Sequence, residues 1–318
     1  MANEITPVPV YIVAGFLESG KTRFINEMLA DDGFSEGERT LLISCEEGIE
    51  EYDEESLRVG NAVVVEIDSV AELEAGKLLE LDEEYKPERI IIEYNSVWTI
   101  EKLFLSKKPE NWELYQVVAL VDSTTFELYQ TNMRQMMNDA LAYADLVLFN
   151  RCTEETKKSS YRRMVKGLNG ACRIYFENED GSTDDGIGDQ DLPYDVNADI
   201  IRIEDDQFGI WYIDAMDHPN RYDGKTVRVK GKAFMMDDLP NNCYVFGRYA
   251  MTCCADDIGG IGFVCHCSEK MPAEEAWIEL TARVEAGFSQ LHGRDGINLI
   301  QKKIKAASAP EEELVYFN

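Results

Sequence analysis

Gly15-Phe16-Leu17-Glu18-Ser19-Gly20-Lys21-Thr22 is an uninterrupted G-x-x-x-x-G-K-[ST]. It follows Tyr11-Ile12-Val13-Ala14, which reads as a buried strand, and opens Lys21–Ala30, which reads as a helix. Gly15 and Gly20 permit a tight loop whose N–H groups point inward at an anion. Lys21 can reach the β- and γ-phosphates of a nucleotide, the Thr22 hydroxyl can ligate Mg²⁺, and the helix adds its positive N-terminal dipole. The context holds on both sides of the loop. A parallel-sheet α/β nucleotide-binding domain with helices on both faces is therefore expected, taking GTP or ATP with Mg²⁺.

Outward from the loop, the same alternation continues to about residue 176. Val8–Ala14, Thr40–Ser44, Ala62–Ile67, Arg89–Glu93, Gln116–Val121, Leu146–Phe149 and Cys172–Phe176 are short apolar runs suited to strands buried on both faces. Lys21–Ala30, Val70–Glu80, Thr124–Tyr143 and Glu154–Gly167 carry helical patterns between them. Glu177–Asp195 holds eight acids, four Gly or Pro and no Lys or Arg, and residues 177–199 read as a solvated linker. Glu46–Glu55, with seven acids in ten residues, reads as a solvated charge run. From about 200 to 305 the pattern changes. Thr226–Phe234, Cys243–Met251 and Ile261–Cys265 are strand-like, and Ala273–Ala286 is mixed, with a strand from Trp277 as one reading. A mainly-β, barrel-like second domain is expected there, and residues 306–318 read as a tail.

Composition narrows the function. Sixty-one acids against thirty-one Lys and Arg leave a net charge of −30, which disfavours broad contact with nucleic-acid phosphates or an anionic membrane. No apolar run approaches the ~18 residues that would span a bilayer. Met1-Ala2-Asn3-Glu4 has no basic leader. A cytoplasmic location is expected, with the eight cysteines reduced. The sequence sets no oligomeric state.

The loop resembles the start of the CobW-type GTPases, relatives of the UreG and HypB metallochaperones. Ile90-Ile91-Ile92-Glu93 is similar to that family's Walker B strand, which ends in Glu. Val118–Asp122 looks like its next strand, and Ala144–Arg151 like its Ala-Asp-x-x-x-x-Asn-Lys guanine reader. Cys45-Glu46-Glu47-Gly48 is similar to the Asn-Glu-Phe-Gly segment near the γ-phosphate. The resemblance covers about residues 8–176. It implies nucleotide contacts from Gly15, Glu18, Ser19, Gly20, Lys21 and Thr22, with Arg23 at the phosphate rim and Asn150 and Arg151 at the base. It also implies Mg²⁺ on Thr22 and Glu93, and catalytic roles for Lys21, Glu93 and Glu46. Three departures stand out: Thr153 replaces the guanine-reading acid, Tyr94-Asn95-Ser96 follows Glu93 in place of a Thr/Ser-Gly pair, and the family's Cys-x-Cys-Cys motif is missing after Gly48.

The C-terminal stretch has its own resemblance. Tyr222–Phe234 followed by Arg248-Tyr-Ala-Met-Thr-Cys253-Cys254-Ala-Asp256 resembles the soluble C-terminal domain of permease subunits. Four cysteines, Cys253, Cys254, Cys265 and Cys267, fall within fifteen residues. If a hairpin folded the two pairs together, their thiolates would suit a tetrahedral Zn²⁺. Small buried cysteines are the other reading. The leading expectation is a slow Mg²⁺-dependent GTPase or NTPase related to metallochaperones. Its partner is a metal-receiving client or a membrane permease. The rivals are a non-hydrolysing nucleotide-gated scaffold and a zinc sensor or store with structural nucleotide.

Overall fold

The computed structural model describes residues 6–31, 33–34, 37–46, 48–74, 76–186, 192–236, 238–240, 242–251, 258–267 and 271–317. It divides into two compact units, Met1–Lys158 with Ala171–Gly186, and Ser159–Gly170 with Ile187–Asn318.

The first unit is built on strands β1 (Val8–Gly15), β2 (Thr40–Ser44), β3 (Ala62–Glu66), β4 (Arg89–Asn95), β5 (Trp112–Asp122), β6 (Leu146–Cys152) and β7 (Arg173–Asn178). They lie parallel in the order β3-β2-β4-β1-β5-β6-β7, and β8 (Thr183–Asp184) adds antiparallel to β7. The strand pleat sends alternate residues to opposite faces. Ile12, Leu41, Ile43, Ile90 and Ile92 pack with α3 (Val70–Glu74), α4 (Lys77–Tyr85) and α5 (Ile100–Leu105). Val13, Leu42, Ile91, Val118 and Leu120 pack with Ile25 and Leu29 of α1 (Lys21–Ala30) and Leu57 of α2 (Glu54–Val59). Covering both faces this way explains the continuous apolar runs.

Two expected helices are each two. Gly76, at φ +94, parts α3 from α4, and Met133, at non-helical φ −135 and ψ 34, parts α6 (Phe126–Asn132) from α7 (Arg134–Ala142). Most of the acidic run is exposed, but Glu46 is shielded beside Lys21, and the exposed Asp53 carboxylate accepts from the Ser56 N–H at 2.7 Å and starts α2, whose first-turn acids Glu54 and Glu55 suit the positive helix end.

The second unit contains α8 (Lys158–Leu168) from Ser159 onward, then β9 (Ile201–Arg202), α9 (Phe208–Asp217), α10 (Pro219–Tyr222), β10 (Thr226–Phe234), β11 (Cys243–Met251), β12 (Ile258–His266), β13 (Trp277–Ser289), β14 (Arg294–Ala306) and β15 (Val315–Tyr316). Strands β10-β11-β12-β14-β13 close on β10 as a five-stranded barrel. Only the β12–β14 pair within it is parallel. Val229, Tyr244, Phe246, Phe263, Leu280 and Leu299 fill its core, and Phe208 and Trp211 of α9 pack against them.

Buried charges here are paired. Arg248 is 1% exposed; its Nη2 and Nη1 donate to Asp205 Oδ1 and O at 2.6 and 2.9 Å, and its Nε donates to Lys230 O at 3.0 Å. It also lies near the Phe208 and Trp277 rings. Burial alone would raise the Asp205 pKa, but Lys230 and Arg248 hold the carboxyl below its usual 3.8. Asp217 of α9 accepts from Arg162 and Lys166 of α8 at 2.8 and 2.7 Å.

Two stretches depart from expectation. Within 177–199, β7 runs to Asn178, β8 follows, and Tyr194 and Val196 join the barrel core. The expected tail ends in a strand, with β15 parallel to β11 and the Phe317 ring over Gly167. A few apolar residues set in acidic or small-residue sequence were enough to anchor both. No helix among the described residues is long and apolar enough to cross a membrane.

Candidate nucleotide site

The loop leaves β1 at a point where only glycine fits. A Cβ on Gly15 would stand 2.5 Å from the Leu120 carbonyl oxygen and 2.4 Å from Ser19 Oγ. Gly20, at φ +89, starts α1, and a Cβ there would meet Asn150 Nδ2 at 2.8 Å. Between them Glu18 takes φ +62, a backbone conformation that costs a non-glycine residue roughly 1–3 kcal/mol and that clusters at functional sites. The Gly15 N–H donates to Ser96 Oγ at 2.8 Å, so one residue of the unexpected Tyr94-Asn95-Ser96 stretch braces the loop.

Lys21, 3% exposed, folds back over the loop. Its Nζ donates to the Gly15 and Phe16 carbonyl oxygens, each at 2.9 Å, and pairs with the Glu46 carboxylate. Thr22 Oγ1 donates to Glu93 Oε1 at 2.9 Å. The other oxygen of Glu93 accepts from Ser44 Oγ at 3.3 Å and from the Tyr52 hydroxyl. Burial first, and Glu93 next, push the Tyr52 phenol up. Burial also raises the Glu46 carboxyl, against the opposing pull of Lys21. The set expected from sequence, Lys21, Thr22, Glu93 and Glu46, is thus brought together. Oxygen ligands on Thr22 and Glu93 lie close enough to share one hard cation, so the donor set fits Mg²⁺. Ser44, Tyr52 and Ser96 escaped the sequence reading, because each meets the site through long-range pairing with no local signature.

On the base side, Asn150 Nδ2 donates to Ser19 O at 2.7 Å and Arg151 Nη1 to Glu18 O at 3.0 Å; Arg151 also pairs with Asp122. Burial would raise the Asp122 carboxyl, but Thr124 and Arg151 hold it below its usual range. Among the described residues, Asn150 Oδ1 and Ser19 Oγ are buried side-chain oxygens with no hydrogen-bond partner, a condition usually costly unless a ligand or water answers it. Thr153 offers no carboxylate, and its Oγ1 is engaged with the Glu155 N–H at 3.2 Å. Arg23, half exposed, is engaged along α1 with Glu27 at 2.9 Å and across with Glu177.

Of the four clustered cysteines, Cys253 and Cys254 lie outside the described residues. Cys265 pairs with Tyr244 in the β11–β12 register and sits in the barrel core, where burial pushes its thiol up to about 12. Cys267 Sγ accepts from Gln301 Nε2 at 3.3 Å, and Cys243 Sγ lies 3.2 Å from His266 Nδ1. Among the described residues no three His, Cys, Asp or Glu side chains could hold a metal ion.

Residues 9–175 match the profile of the CobW/HypB/UreG nucleotide-binding domain. The chain belongs to the CobW/HypB/UreG family. Residues 183–317 match the DUF1980 C-terminal domain. Among solved structures, the chain is similar to the zinc(II)-bound YjiA GTPase of E. coli, at 19% identity and TM-score 0.43 over 73% of this chain and 74% of that one. A zinc(II)-bound YjiA triple mutant gives 18% and 0.42 over 76% and 86%. The hydrogenase maturation factor HypB of Archaeoglobus fulgidus gives 16% and 0.38 over 54% and 81%. No curated protein matches the chain.

Proposed function

We propose that this member of the CobW/HypB/UreG family is a slow Mg²⁺-dependent GTPase whose barrel serves a partner, either a metal-receiving client or a permease. The observation that carries the reading is the convergence of Lys21, Thr22 and Glu93 beneath the glycine loop. Lys21 and the loop amides would stabilise charge building on the β- and γ-phosphates. Thr22 and Glu93 would hold Mg²⁺, which when bound neutralises phosphate charge. Glu46, once off Lys21, is the carboxylate suited to orient an attacking water. The four-cysteine zinc site does not enter this reading, because Cys253 and Cys254 lie outside the described residues. The test is phosphate release by the full chain under excess Mg²⁺-GTP, compared with Lys21→Ala.

A non-hydrolysing scaffold is the second reading, favoured by the internal partners that already occupy Lys21 and Glu93. Tight Mg²⁺-GTP binding without phosphate release would select it.

A further inference from the structure

The two contacts that close off the loop come from one short segment. After β2, the Cys45 N–H donates to Glu93 O at 2.9 Å. One residue on, the Glu46 carboxylate meets Lys21, their side chains 10% and 2% exposed. Six residues later the Tyr52 hydroxyl meets Glu93 Oε2. The segment is also tied to the loop and to α1: the Ile49 N–H donates to Glu18 Oε1 at 3.3 Å, Asn26 Nδ2 to Glu51 O at 3.4 Å, and the Asp53 N–H to Asn26 Oδ1 at 3.0 Å. The Lys21 ammonium and the Glu93 carboxylate, the two charges a magnesium-bound triphosphate would contact, therefore already have internal partners.

We propose that residues 45–52 are a built-in competitor for the nucleotide: Glu46 contests Lys21 with the phosphates, and Tyr52 contests Glu93 with Mg²⁺. This rests on the nucleotide reading above. A buried ammonium needs an anionic or carbonyl partner at all times. Exchanging Glu46 for a phosphate oxygen keeps Lys21 satisfied, so one anion can replace the other without exposing a bare charge. Glu93 likewise trades a phenolic donor for a metal ion. A nucleoside diphosphate without metal disturbs only the Lys21 partner, whereas a metal-bound triphosphate must displace both. Tyr52 and Glu46 thus set the preference between the two, and the release of segment 45–52 reports that the triphosphate has arrived.

The apparent affinity of a site with an internal competitor is lowered by the fraction of time the competitor is bound. Calorimetric titration of the full chain with Mg²⁺-GTP, and with GDP in EDTA, tests this in wild type, E46Q, Y52F and K21A, each checked for an unchanged melting curve. E46Q should bind Mg²⁺-GTP about tenfold tighter, the loss of one charge-assisted contact, while phosphate release slows if Glu46 also orients water. Y52F should lower the Mg²⁺ concentration for half-saturation by roughly fivefold and leave GDP binding in EDTA unchanged. K21A should lose both ligands. Unchanged or weaker Mg²⁺-GTP binding in E46Q, with wild-type binding intact, overturns the competitor and leaves the nucleotide reading standing. An unaltered Mg²⁺ requirement in Y52F overturns its Tyr52 half. No binding in wild type, E46Q and Y52F alike ends the nucleotide reading and the competitor together.

Discussion

The phosphate loop and the barrel both bury charge, but they treat it differently. In the barrel, Arg248 has three hydrogen bonds to backbone and carboxylate oxygens, and in the same unit Asp217 pairs with both Arg162 and Lys166. Those partners are fixed, and nothing has to leave. Around the loop, Lys21 and Glu93 hold partners that a ligand can replace, while Ser19 Oγ and Asn150 Oδ1 lack one. Closed circuits hold a fold together; exchangeable ones bind. The difference separates residues whose loss unfolds the protein from those whose loss only silences it.

The sharpest break of that comparison is Lys21→Ala. It should cost a thousandfold or more in Mg²⁺-GTP affinity, about 4 kcal/mol, with little change in melting temperature. A large drop in melting temperature with affinity retained would reverse the roles of the two regions. Arg248→Ala is the mirror experiment. It removes three hydrogen bonds and empties a fully packed position, so the barrel should lose roughly 3 kcal/mol in denaturant titration, while nucleotide affinity stays the same. Weakened GTP binding with undiminished stability would show that Arg248 belongs to the other class.

A third test concerns the base. With Thr153 in place of the acid, GTP should be preferred over ATP by less than about a thousandfold in competition titrations. A larger margin would point to a carboxylate outside the motif, Glu154 first. The smallest effect expected is electrostatic. The folded pKa of Asp205 lies below 3.8, so its contribution is complete above the unfolded value and fades only as pH falls through the folded one. Asp205→Asn should therefore lower the melting temperature at pH 7, and the gap from wild type should narrow as the pH falls below 3.8. A gap that persists at acid pH would mean that the carboxylate charge is not what matters.

What could be read in the sequence was what repeats or sits side by side in the chain. The loop between β1 and α1 is local, and β2, α1, β10 and β11 end where the apolar patterns end. Other elements lacked a local signature. Helix α9, Phe-Gly-Ile-Trp-Tyr-Ile-Asp-Ala-Met-Asp, is apolar nearly all round because it is buried, so it has no amphipathic period. Strand β14 carries Ile297, Leu299 and Ile304 among polar and basic residues, and is recognisable once β13 lies beside it. Tyr52, in a run of acids, gave no hint of the Glu93 contact forty-one positions on.

Helix α8 follows the Asn150-Arg151 turn in the chain, yet from Ser159 onward it belongs to the second unit, held by Asp217 and, at Gly167, by Phe317. During synthesis it emerges about fifty residues before Asp217 and some one hundred and fifty before Phe317. Until then Arg162 and Lys166 await the carboxylate they pair with in the finished protein. The second unit therefore cannot close until its last strand has been made. Dividing the gene near residue 176 would separate Arg162 and Lys166 from Asp217, and Gly167 from the Phe317 ring.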